Sequence, residues 1–98
     1  MASLHEYDLV LILSPEIEDG AVPATVERVS KFVQNHGGEV VQSDHWGRRR
    51  LAYPIKRHNE GNYVRSQLKL APERAGELEA NLRIAEDILR HLLVRKDT

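Results

Sequence analysis

Apolar residues in this chain recur with two different spacings, and the order of those spacings constrains the fold more than any other feature. Tyr7–Leu13 is almost continuously apolar and is broken by Ser14-Pro15, which predicts a central strand. A stripe at helical spacing follows, made of Val22, Val26, Val29 and Val33. This first helix is expected to end at Gly37-Gly38, because glycine readily adopts the left-handed cap conformation.

The middle of the chain consists of two extended segments. Val40–Tyr53 is predicted to be a second strand, with a bulge or bend at Gly47. Turn chemistry at Pro54 and at His58–Gly61 is expected to separate it from the next segment. From Val64 to Leu70 apolar or small residues alternate with polar ones, and this period of two predicts a third strand with one buried face.

The last third repeats the order of helix and strand. Pro72-Glu73 suits a helix start, Asp87 is expected to close that helix, and Ile88–Val94 is predicted to be a fourth strand. The apolar stripe of the helix comprises Ala75, Leu78, Leu82 and Ala85. Right-handed crossovers and short connections favour a ferredoxin-like α+β fold, βαββαβ, with a four-stranded antiparallel sheet and both helices on one face.

A chain of 98 residues has room for one such domain, expected over residues 1–98. This fold hosts enzymes, regulatory modules and RNA binders, so it does not by itself decide the function. One alternative is therefore a ligand-sensing or dimerising regulatory module, which would form a stable homodimer and have no affinity for RNA.

Positive charge is concentrated in one segment although the formal net charge is only -1. The stretch from Trp46 to His58 contains no acid and five basic residues, which are Arg48, Arg49, Arg50, Lys56 and Arg57. A second basic group comprises Arg90, Arg95 and Lys96. Acids gather in Glu16–Asp19 and in Glu73–Glu79, so the molecule is expected to be electrically two-sided.

The basic segment has two interpretations. Guanidinium groups bind phosphate oxygens in pairs and stack on bases, and Trp46 and Tyr53 would add stacking faces. Basic side chains also protect an exposed edge strand from aggregation. The residues alone leave both interpretations open, and Trp46 and Tyr53 are expected to be at least half in the core rather than dedicated stacking platforms.

The sequence predicts no catalytic site, no metal site and no cofactor. The chain has no cysteine, which excludes thiolate ligands, and its five histidines lack the spacing of a metal site. Small phosphatases of the same fold hold phosphate after the first strand, where the three acids of Leu13–Asp19 would repel it here. No apolar run approaches the roughly 20 residues that cross a bilayer, so a cytoplasmic protein with no membrane partner is expected.

Four stretches resemble one family, that of the sixth protein of the bacterial small ribosomal subunit. They are Tyr7–Leu13 followed by Pro15; Gly37–Val41; Trp46–Ile55, which is the most specific; and Leu89–Lys96. Gly61–Val64 adds to the match, and the similarity extends from the first strand to Lys96. Asn62 and Gln67 are more polar than the resemblance leads us to expect in a third strand.

The resemblance implies a structural constituent of the small subunit that supports its assembly and translation. It implies binding to the central domain of small-subunit ribosomal RNA, in the platform, together with ribosomal protein S-eighteen. The positions that it assigns to RNA contact are Arg48, Arg49, Arg50, Lys56, Arg57, Arg90 and Lys96. The edge near Val41–Trp46 is a candidate partner surface, and the free chain is expected to be a monomer.

Overall fold

The computed structural model describes residues 4–16 and 19–96. Within these residues there are four strands and two helices, with a short 3₁₀ turn, Asp19–Ala21, before the first helix. The elements are β1 (His5–Leu13), α1 (Val22–Asn35), β2 (Glu39–Ile55), β3 (His58–Leu70), α2 (Pro72–Ile84) and β4 (Ile88–Arg95). All neighbouring strands are antiparallel, in the sheet order β2-β3-β1-β4. The predicted ferredoxin-like βαββαβ fold is confirmed.

The core lies between the helices and one face of the sheet. Successive residues of β1 alternate between buried and half-buried, as do those of the last part of β3, because neighbouring side chains on a strand point to opposite faces. The most deeply buried side chains of these two strands are Leu9, Leu11, Leu13, Val64, Leu68 and Leu70. Each buried leucine or valine contributes about 1.5–3 kcal/mol of transfer free energy.

The first helix packs with the face that its sequence indicates. Val22, Val29 and Val33 are buried, and Val26 packs partly against the same cluster. The helix ends at Asn35, after which Gly37 adopts a φ of +83° and the amide of Gly38 donates to the carbonyl of Val33 at 2.9 Å. The predicted glycine termination is confirmed.

The hairpin between β2 and β3 is longer than expected, and its turn is elsewhere. The two strands are joined by only Lys56 and Arg57, so the turn predicted at Pro54 and His58–Gly61 is wrong. Lys56 and Arg57 have φ values of +49° and +71°, which is the left-handed backbone of a tight two-residue turn. Such turns usually contain asparagine and glycine, so this turn has no ordinary sequence signal. The predicted bulge is confirmed, since the register shifts between His45 and Gly47.

The second helix ends earlier than its stripe suggests. Leu78 and Leu82 are buried as predicted, but the helix ends at Ile84 and Ala85 is already extended. Asp87 therefore does not close it. Its carboxylate instead accepts hydrogen bonds from Arg28 Nη2, at 2.9 Å to each oxygen, and from the Thr25 hydroxyl at 3.1 Å. These hydrogen bonds fasten the start of β4 to α1.

Candidate nucleic-acid interface

The distal half of the β2–β3 hairpin extends beyond the rest of the sheet. The pairing of β1 with β3 stops at Leu13 and Asn62, so beyond the Arg48–Asn62 pair the hairpin has no third strand beside it. We call residues 48–60 the basic arm. A two-stranded projection of this kind gains little from the core, and most of its side chains are exposed.

Three of the predicted RNA-binding residues lie well exposed on the basic arm. Arg50 lies on a strand, and Lys56 and Arg57 form the tip. Within the described residues the side chain of none of the three makes a hydrogen bond or an ion pair. Arg50 and Arg57 also line one open groove of about 420 Å³, whose other lining residues are Pro15, His58, Asn59 and Glu60. Uncommitted guanidinium groups of this kind are available to phosphate oxygens.

Arg48 differs from its neighbours because its guanidinium is partly used within the protein. Its Nη2 donates to the carbonyl oxygen of Pro15 at 2.9 Å, and its Nη1 lies 3.9 Å from a carboxylate oxygen of Glu60. The sequence places Arg48 in one run with Arg49 and Arg50, but the structure uses it to fasten the base of the basic arm to the segment after β1.

Arg49 lies on the opposite face, over an aromatic pair. Its guanidinium carbon is 5.6 Å from the ring centroid of Trp46. That ring in turn stacks on Tyr63, with centroids 6.4 Å apart and planes inclined by 15°. Trp46 is 42% exposed, so more than half of it is covered as expected, but Tyr63 and Arg49 contact it and the core cluster does not include it. The cation–π interaction holds Arg49 in a defined orientation.

Arg90 is distant in sequence from the basic arm but touches it. Its Nη1 donates to the hydroxyl of Tyr53, and its guanidinium carbon lies 6.0 Å from the Tyr53 ring centroid. Tyr53 is 54% exposed and therefore also lies outside the core. The structure thus joins the second basic group to the first through Arg90.

Lys96 is not brought to this cluster. Its amide bonds to the carbonyl of Glu6 at 2.9 Å, at the start of β1, whereas Arg90 pairs with Ile12 near the end of that strand. Six residues of strand separate the two places by about 20 Å. Its predicted contact with RNA therefore stays a prediction that the basic arm does not support.

The sheet face opposite the helices carries apolar side chains. Strand registers place Tyr63, Ile12 and Arg90 in one row, and Arg65, Val10 and Leu92 in the next. Trp46 joins the first row by stacking on Tyr63. Exposed fractions of 55% for Leu92 and 46% for Val94 show that this face is uncovered. We call it the open face, and the predicted partner edge at Val41–Trp46 borders it. Nothing in the sequence marks Leu92 and Val94 as uncovered, because their pattern is that of an ordinary strand.

A single ion pair lies among these apolar side chains. Arg65 Nη2 donates to Asp8 Oδ2 at 3.1 Å. The other oxygen, Asp8 Oδ1, is buried and has no hydrogen-bond partner among the described residues. An unsatisfied buried polar atom costs about 1–3 kcal/mol, and a donor from a bound partner would recover it.

The described residues contain neither a metal-binding cluster nor a membrane-spanning helix. No group of three or more histidine, aspartate or glutamate side chains within residues 4–16 and 19–96 could hold a metal ion. No helix in the same part of the chain is long and apolar enough to cross a membrane.

Fold and surface together define a class, a ferredoxin-like α+β domain with a projecting basic arm and an uncovered apolar sheet face. The sequence model of the family described as ribosomal protein S6 matches residues 6–95. The chain therefore belongs to the ribosomal protein S6 family. Members of this family are structural proteins of the small ribosomal subunit, not enzymes, and they act in the cytoplasm.

Similar proteins agree with this assignment. The small ribosomal subunit protein bS6 of Carboxydothermus hydrogenoformans is 40% identical over 94 residues, which cover 96% of this chain and 98% of that protein. Its counterpart in Desulforamulus reducens is 39% identical over 93 residues, covering 95% and 98%. The crystal structure of 30S ribosomal protein S6 from Thermotoga maritima has a TM-score of 0.88 at 28% identity, covering 95% of this chain and 88% of that one.

Proposed function

We propose that the chain binds the central domain of small-subunit ribosomal RNA through its basic arm, jointly with ribosomal protein S-eighteen. In this way it supports assembly of the subunit and translation. The observation that carries the proposal is the projection of Arg50, Lys56 and Arg57 beyond the sheet, where no acid of the described chain pairs with them.

The distribution of charge explains how a chain with a net charge of -1 would bind a polyanion. Each phosphate that a lysine or arginine neutralises releases condensed counterions, which favours binding strongly at low salt. Arg49, held over Trp46, and Arg90, held at Tyr53, add two more cations whose positions are fixed before RNA arrives. Pre-ordered side chains lose less entropy on binding.

Ribosomal protein S-eighteen would cover the open face. Uncovered apolar patches on a folded domain commonly mark protein interfaces. Leu92, Val94 and Trp46 supply the apolar surface, and the unpartnered Asp8 Oδ1 supplies an acceptor. The open face borders the basic arm at Trp46, so RNA and the partner would meet along one line.

The test is a titration of the purified chain against the central-domain RNA fragment over a salt series, with and without ribosomal protein S-eighteen. Arg49→Gln combined with Arg50→Gln should weaken binding and lower the slope of log K against log salt by about 1 for each phosphate that is no longer neutralised. Arg74→Gln combined with Arg83→Gln on α2 changes the net charge equally and is the matched control. Equal affinities for the two double variants would contradict the proposal.

A further inference from the structure

A small cavity lies at the base of the basic arm, on the helix side of the sheet. Its volume is about 210 Å³, and it lies between the first turn of α1 and the strands β2 and β3. Pockets for drug-sized ligands usually measure about 300–1,000 Å³. A cavity of this size suits one planar ring system.

The cavity has apolar walls and three polar side chains. Val22 and Val64 are buried walls, while the ring of His45 is exposed. Arg48 and Asn62 are paired residues, so their side chains leave the sheet on the same side. An apolar floor, an imidazole, a planar guanidinium and an amide are the groups that proteins use to stack unpaired bases and to bond their edges.

Asn62 supplies the decisive observation. It is only 4% exposed, yet its amide nitrogen Nδ2 has no hydrogen-bond partner within the part of the chain that the structure describes. Buried amides in proteins are almost always bonded, so a polar group placed in the cavity beside Asn62 would satisfy an otherwise unpaired donor. The polarity of Asn62, unexpected from the family resemblance, then has a physical reason.

We propose that this cavity takes one unpaired nucleobase of the RNA that the basic arm binds, with Asn62 bonding the base edge. This inference rests on the proposed function and deepens it. A phosphate group fits the site less well, because the cavity walls are apolar and its one guanidinium, that of Arg48, already donates to the Pro15 carbonyl and lies near the Glu60 carboxylate. A neutral base needs no counter-charge and gains the unpaired amide donor of Asn62.

The first experiment uses the isolated protein labelled with ¹⁵N and ¹³C. It is titrated with the four ribonucleoside 5′-monophosphates and, separately, with ribose 5-phosphate, which lacks a base. At least one nucleotide should shift the Asn62 side-chain amide and the His45 and Val64 signals saturably, and ribose 5-phosphate should not. Equal shifts with ribose 5-phosphate, or no shift with any nucleotide, would overturn the inference.

The second experiment separates this inference from the proposed function. Asn62→Leu should weaken binding of the central-domain RNA fragment about tenfold with an unchanged salt slope, because no charge is removed. Gln67→Leu is the matched control, since Gln67 is an amide of the same strand on the opposite face. If Asn62→Leu binds normally while the arginine double variant does not, the cavity inference fails and the proposed function stands. If the unchanged chain does not bind the fragment, the proposed function fails.

A further variant tests the cavity without changing a buried residue. His45→Ala changes the exposed ring of the cavity and leaves the core intact, so its circular dichroism spectrum should match that of the unchanged chain. It should lose RNA affinity severalfold with the same salt slope. Full affinity of a folded His45→Ala, together with full affinity of Asn62→Leu, would exclude a base in the cavity. The inference would also be overturned if ribosomal protein S-eighteen alone, without RNA, protected the Asn62 side-chain amide from hydrogen exchange.

Discussion

The guanidinium of Arg90 donates to the hydroxyl of Tyr53, 37 residues earlier in the chain, and so fastens the basic arm to β4 at the far edge of the sheet. Tyr53→Phe removes this bond and leaves the ring in place. Amide hydrogen exchange in residues 51–60 should become faster, while the free energy of unfolding falls by no more than about 1 kcal/mol, because the bond is exposed. Unchanged exchange in the basic arm would show that this hydrogen bond does not hold it.

Gly61 is required where the basic arm leaves the sheet. A Cβ at this position would lie 2.5 Å from Ile12 Cγ2 and 3.2 Å from the carbonyl oxygen of Leu13. Gly61→Ala should therefore lower the free energy of unfolding by about 1–3 kcal/mol, measured by urea denaturation. Gly76→Ala is the matched control, since nothing lies within 4 Å in the middle of α2, and it should raise stability by about 0.5–1 kcal/mol. A neutral Gly61→Ala would contradict the close approach.

The two residues at the tip of the basic arm supply positive charge but are unfavourable in the left-handed backbone of the turn. Lys56→Asn combined with Arg57→Gly supplies residues that favour positive φ, so the free energy of unfolding should rise by about 1 kcal/mol or more. RNA affinity should fall because two cations are removed. Lys56→Gln is the control, which removes one charge, keeps the unfavourable backbone and should weaken binding without a gain in stability. A double variant no more stable than the original chain would contradict this account of the turn.

A substitution on the open face should weaken binding of the partner protein without weakening binding of RNA. Leu92→Glu places a charge on the open face and should weaken the complex with ribosomal protein S-eighteen at least tenfold, measured by isothermal titration calorimetry. Binding of RNA to the free chain should change little. Ile84→Glu is the matched control, because Ile84 is 79% exposed but lies at the end of α2 on the other side of the sheet. Equal weakening in both variants would argue against the open face.

An uncovered apolar face also raises the alternative of self-association. The free chain should sediment as a monomer at micromolar concentration, because a homodimer through the open face would bring two copies of the Asp8–Arg65 ion pair together out of water, whereas a different partner would cover only one. Sedimentation velocity over a concentration series measures this. A stable dimer would favour the regulatory module over the partner-binding surface.

Periodicity predicted the elements of this fold but not the shape of its hairpin. The stripe of valines on α1 and the alternation in β3 have strong physical signals, since burial on one face requires them. The turn at Lys56 and Arg57 has none, because its left-handed backbone is imposed by pairing of the flanking strands. Residue type alone assigns His58 and Gly61 to the turn, whereas the close approach of Ile12 explains that glycine.

Some of the candidate functional residues also have a signal in the sequence, and others do not. The charge run singled out Arg50, Lys56 and Arg57, and the structure exposes all three, because residues close in sequence stay close together on a hairpin. The hydrogen bond from Arg48 to Pro15 has no signal in the sequence, because it joins segments that are distant along the chain. The open face was missed for a related reason. Leu92 lies on β4, and the sequence of a strand does not show which of its two faces the helices cover. Only the fold shows that the face with Leu92 is left uncovered.

The strand order has a consequence for the time at which this protein can fold. β1 is made early but lies at the centre of the sheet, between β3, which pairs from Asn62 onward, and β4, which pairs up to Arg95. While the chain is being synthesised, β1 has neither neighbour until two thirds of the domain exist. Its apolar residues therefore remain exposed in the nascent chain, and closure of the sheet waits for the last strand. Tyr7–Leu13 is therefore the segment of the nascent chain with the most apolar surface left to bury when β3 and β4 emerge.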